Sequence, residues 1–219
     1  MPPDESQLEV GGVFRVRWTE NSVRVMAHDR FEVFYDTRVG EERGWILGDS
    51  KRCFAYYRTV TPLFLNEATK LGVEAMTTDQ RDRHRPDLPL RFGRSAGVQW
   101  RDDPLPTCAA LAAHVASVDP DLLNAPGLNA REIALIPRSP KGAHKPAVLI
   151  TAENGSSFTM IELLWHAHRL PRPFVKTPAG GIGFYRLGLA KNGVPSYLMD
   201  IAMHWAMAWH AEASEASAL

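Results

Sequence analysis

Hydrophobic and polar positions alternate strictly near the start of the chain. Phe14, Val16 and Trp18 fall on one side of an extended segment, with Arg15 and Arg17 on the other, the period-two signature of a strand. Glu20-Asn21-Ser22 supplies a turn, and Val23 to Ala27 is a second branched run. After His28-Asp29-Arg30, Phe31, Val33 and Tyr35 alternate with Glu32 and Asp36. Spacers this short between alternating runs predict an antiparallel meander or small open barrel. Trp45 to Leu47 and Phe54 to Val60 extend it.

The period then changes. Thr61-Pro62 reads as a helix start, with Phe64, Ala68 and Leu71 on one face and Gly72 as the stop. From Thr77 to Asp103, mixed charge and prolines break any apolar repeat, which reads as a long irregular connection between two halves. Thr107 then caps a helix to about Val118 that ends at Asp119-Pro120, and Asn124 to Gly127 is turn chemistry. Ile133 to Pro137 and Ala147 to Thr151 are strand-length runs flanking a basic loop, Arg138 to Lys145. Thr159 and Glu162 have capping-box spacing, predicting a helix to about His168. Asn192-Gly193, between Phe184–Ala190 and a run from Ser196, is a strong hairpin signal. Beyond it, Tyr197, Met199, Ile201 and Met203 continue to Trp205, Met207 and Trp209 at every second position. That pattern suggests a half-buried strand, although alanine and methionine favour helix after Met203.

The expected fold is therefore α+β: an antiparallel N-terminal β-meander with a packed helix, then a second α/β portion ending in a β-hairpin. The expected organisation is 12–76, a connection at 77–103, and 104–210, with the option of one continuous core.

At 219 residues, with 45% hydrophobic and 23% charged positions, the chain is long enough to bury a core without disulfide or metal staples. No run approaches the roughly 18 apolar residues of a membrane span. The acidic, proline-bearing start lacks the pattern of a signal peptide. Cys53 and Cys108 show no CxxC spacing, and together these features point to the cytoplasm. Twenty-five basic side chains balance twenty-five acidic ones. The balance is uneven, because Arg131 to Lys191 holds nine basic and three acidic residues. Such a span is either an ordinary solvated surface or an anion-binding face.

Candidate chemistry is sparse. His166 and His168 are two apart, about 200° around a helix, and cannot share a metal. No nearby cysteine or carboxylate completes a zinc set, so neither metal nor cofactor is expected. Glu162 and His166, one turn apart, are the one acid/base pair to nominate, against the plainer reading that Glu162 caps its own helix. Asp200 and His204 touch if that segment is helical and lie about 13–14 Å apart if it is a strand. Cys108 sits near a helix start, where a thiolate is favoured, but no nucleophile signature surrounds it. Gly180, Gly181 and Gly183 have neither nucleotide-cradle spacing, and no GxSxG elbow or nuclease-like carboxylate cluster occurs. Phosphate contact is the better use of the basic residues Arg138, Lys141, His144, Lys145, Arg186 and Lys191. Trp205 and Trp209 are either core or an interface stripe.

The leading expectation is a non-enzymatic cytoplasmic binding module within a protein assembly, touching an anionic partner such as nucleic acid. The alternatives are a metal-independent hydrolase or nucleic-acid-processing enzyme resting on Glu162 and His166, and a small immunity or inhibitor protein.

Overall fold

The N-terminal alternation becomes a sheet because every second side chain along it is apolar and finds a common interior. A computed structural model describes residues 5–38, 44–49, 53–55, 57–99, 105–137, 145–170 and 181–201. In it β1 (Gly12–Val16), β2 (Ser22–His28) and β3 (Glu32–Arg38) run antiparallel in sequence. Two short strands follow, β4 (Trp45–Ile46) and β5 (Gly48–Asp49), then β6 (Cys53–Ala55) and β7 (Tyr57–Val60). Both β4 and β7 pair with β3, extending the meander as expected. Residues 53–55 do not; they pair with β5 and with a strand from much later in the chain. That partner leaves no trace in the local pattern.

The helix expected to run from Thr61 to Gly72 is shorter. It is α1 (Thr61–Glu67), with Pro62 in its first turn and Val60 at its N-cap. Thr61 does not cap it; its hydroxyl donates to the Asp29 carbonyl at 2.8 Å. Residues Ala68–Val73 form β8, antiparallel to β1. Sheet pairing overrides the helical spacing of Phe64, Ala68 and Leu71. Phe64 and Ala68 still reach the same interior, packing with Leu8, Phe14, Val16, Val23, Val25, Val33 and Tyr35.

Of the connection expected at 77–103, the described residues 77–99 hold regular structure that their composition does not suggest. Thr77 opens α2 (Thr78–His84) with a capping box to Gln80, and Arg85 ends it in the left-handed conformation. Arg91–Gln99 is β9. Capping side chains set the helix locally, whereas the strand exists through pairing with residues 181–185.

The later elements are α3 (Cys108–Val118), capped by Thr107, and α4 (Pro120–Asn124), capped by Asp119. Then come β10 (Glu132–Ile136), β11 (Val148–Thr151) and α5 (Met160–Arg169). The chain continues through β12 (Gly181–Ala190) and β13 (Pro195–Ile201). β10 and β11 are antiparallel across the basic loop, and β10 is parallel to β13. Gly193, at φ +87°, forms the hairpin turn, where its amide donates to Ala190. One expectation changes here. Pro195–Met199 of β13 are all buried, so the run expected to be half-buried is covered on both faces there, as are all ten residues of β12. Residues 202–209, with Trp205, Trp209 and His204, lie outside the described residues.

The mixed α+β fold divides into two units. One comprises residues 1–90 with 187–195, the other 91–186 with 196–219. In the second, Phe92 stacks on Phe184 at 4.8 Å and meets Tyr197 edge-on at 4.9 Å. Among the described residues no helix is long and apolar enough to cross a membrane.

Candidate functional site

The nominated pair on α5 is engaged in holding its helix. Thr159 Oγ1 accepts the Glu162 amide at 3.3 Å, and Glu162 Oε2 accepts the Thr159 amide at 3.2 Å. Glu162 Oε1 accepts the Glu153 amide at 2.6 Å. Both oxygens of this buried carboxylate thus serve orphan backbone donors, the purpose of a capping box. His166, one turn on, sets its ring edge-on to Phe158 at 6.3 Å, and its Nε2 is buried without a hydrogen-bond partner. His168 Nε2 accepts the Leu105 amide at 2.7 Å, which requires that nitrogen to be unprotonated. Cys108 opens α3, yet burial, with Glu153 and Glu162 adding to it, pushes its thiol upward. A helix N-terminus alone pulls the other way; here desolvation and the carboxylates win. Among the described residues no three histidine, cysteine or acidic side chains form a metal-holding group.

The basic residues are placed unevenly. Arg138, Lys141 and His144 lie outside the described residues. Lys145 is exposed, and its amide closes the loop onto the Pro137 carbonyl at 2.7 Å. Arg186 is fully buried in the second unit, while Lys191 is exposed in the turn after β12. A strand buried along its whole length hides its one arginine, so charge counting along the sequence could not separate Arg186 from Lys191.

A different feature stands open in the first unit. Arg17, Trp18, Tyr35, Arg58, Leu63 and Glu67 line a groove of about 600 Å³. It forms just past the end of β1 at Val16, where Trp18 is 41% exposed. Buried Phe64 packs against two of the lining residues, with its ring centroid 6.3 Å from Trp18 and 6.2 Å from Tyr35. Tyr57, also exposed, stacks on Tyr35 at 6.0 Å with 21° between the planes. Burial pushes the Tyr35 phenol above its usual value, opposed by a hydrogen bond from the Trp18 side chain. Arg17 makes only a 3.6 Å contact with Glu67, and its side chain is 78% exposed. Sequence reasoning missed this groove, although Arg17-Trp18 and Tyr57-Arg58, each an aromatic beside an arginine, were its visible signal.

On the opposite side of the same strands lies a buried ion pair. Arg24 donates to Asp36 through Nη2 at 2.7 Å and Nε at 3.3 Å, and its guanidinium lies 4.7 Å from the Trp45 ring centre. Trp45 donates to Glu74 at 2.7 Å, and Arg38 pairs with Glu74 at 3.0 Å. Burial outweighs Arg24 and raises the Asp36 carboxyl to about 6. The Arg24–Asp36 pair is buried, whereas Arg38 and Glu74 at the edge of the cluster are part-exposed.

No known protein family, curated protein or solved structure matches this chain.

Proposed function

We propose that this protein is a non-enzymatic binding module that works within a protein assembly and engages an anionic partner. The observation that carries the reading is the open groove of the first unit, where aromatic faces and the arginines Arg17 and Arg58 meet. Aromatic and arginine side chains are the groups most enriched where proteins bind partners. The chemistry-bearing groups support the same reading. Glu162 spends both oxygens on backbone amides, His168 accepts one, and the Cys108 thiol is held in its less reactive form. Lys145 in the second unit and Lys191 in the first are each exposed and add positive charge. A cytoplasmic setting is part of the proposal and rests on the two cysteines without disulfide spacing.

Affinity purification of the full chain from its own host tests this. A stoichiometric protein partner, together with retention on a polyanionic matrix that weakens steeply with salt, is the expected result. Recovery of the chain alone, with no salt-sensitive retention, would remove the proposal.

A further inference from the structure

We infer that the groove of the first unit takes a single strand of nucleic acid, with a base on Trp18 and its phosphates on Arg17 and Arg58. The inference rests on the proposed anion-binding role and names the ligand of that site. Three features favour this occupant. The indole is an exposed platform, 41% in solvent and backed edge-on by the buried Phe64 ring at 6.3 Å. Stacking on such a platform needs a free base face, which a duplex does not offer and a single strand does. The charges around it are two arginines and one glutamate, a balance that attracts phosphate and disfavours a cationic ligand. Arg17 is mostly in solvent, and its long contact with Glu67 costs little to exchange for a phosphate. Tyr57, stacked on Tyr35 and 40% exposed, offers a second face for the next base.

An acidic peptide would satisfy the arginines but leave the aromatic faces without a partner of matching shape. The ligand prediction is therefore specific. Base stacking on one aromatic changes affinity by about 5- to 150-fold, and each phosphate contact to a single strand contributes about 0.7 to the salt slope.

Fluorescence anisotropy with the full chain provides the test, using a labelled eight-residue oligothymidylate, an abasic oligomer of equal length and a polyglutamate peptide of equal charge. The oligothymidylate is expected to bind at least about fivefold more tightly than either competitor. Trp18→Ala should weaken it by about 5- to 150-fold, with Trp18→Phe restoring most of the loss. Arg17→Ala and Arg58→Ala should each lower the salt slope by about 0.7. Equal binding of the abasic oligomer, or no effect of Trp18→Ala, overturns base stacking while leaving an anion-binding module in place. Tighter polyglutamate binding replaces nucleic acid with an acidic protein segment. If none of the three binds to a chain whose melting curve is intact, the inference and the anionic partner fall together.

Discussion

Arg24 and Asp36 show how two residues deep in a sheet set conditions for the whole first unit. Each is almost fully buried, and each has the other as its charged partner. Removing one member of such a pair leaves an uncompensated charge in the interior, so Arg24→Ala should destabilise the fold by about 3–5 kcal/mol in chemical denaturation. The pH dependence follows from Asp36. Its carboxyl titrates near 6 in the folded chain against 3.8 ordinarily. Between those values the folded chain holds a proton that the unfolded chain has released. Stability contributed by this group therefore falls as pH rises from about 4 through 6, by up to about 3 kcal/mol. Asp36→Asn, neutral throughout, should abolish that slope in denaturation measured from pH 4 to 7.5. A slope that survives the substitution would assign it to another group. Neither residue stood out in the sequence, because Arg24 and Asp36 sit at alternate-looking strand positions that a one-sided sheet would expose. Burial of both faces is a property of packing.

At the scale of elements, local chemistry was legible and pairing was not. The starts of α3 and α5 follow from Thr107 and Thr159, whose hydroxyls accept the amides of Ala110 and Glu162. The Asn192-Gly193 turn likewise follows from a residue that tolerates positive φ. By contrast, the local pattern of β8 and β9 reads as helix and irregular chain, since their partners lie 52 to 94 residues away, from Val16 opposite Ala68 to Tyr185 opposite Arg91. The turn at Gly127 combines both kinds of information. Its glycine was visible as turn chemistry, but the reason for it is a close approach. Leu128 and Phe158 exchange backbone hydrogen bonds at 3.0 and 2.9 Å, and a Cβ on Gly127 would lie 1.8 Å from the Phe158 carbonyl oxygen. Gly127→Ala should therefore force the two segments apart and cost at least about 3 kcal/mol, the upper part of the overpacking range. Calorimetry checks this, and a melting temperature within two degrees or so of the parent would show that the bridge yields easily.

At the scale of the molecule, the chain returns to its first unit after building most of the second. The last residues of β12 pair with β6, Gly188 opposite Ala55 and Ala190 opposite Cys53. A fragment ending at Leu90 thus lacks the strand that borders Cys53–Ala55. In hydrogen exchange those amides should be protected in the full chain and exchange at least about tenfold faster in the fragment. Equal protection in both would show that the returning hairpin contributes nothing to that edge.

Composition and short-range pattern were enough to determine the mixed α+β class, the N-terminal meander, the capped helices and the final hairpin, because turns, caps and alternation act within a few residues. Tertiary structure alone decided that Arg186 is hidden, that Glu162 is tied to two backbone amides, and that Trp18 stands beside Tyr35, Arg17 and Arg58 in an open groove. Those outcomes depend on which distant strands pair and which faces they cover, and linear spacing carries no record of either.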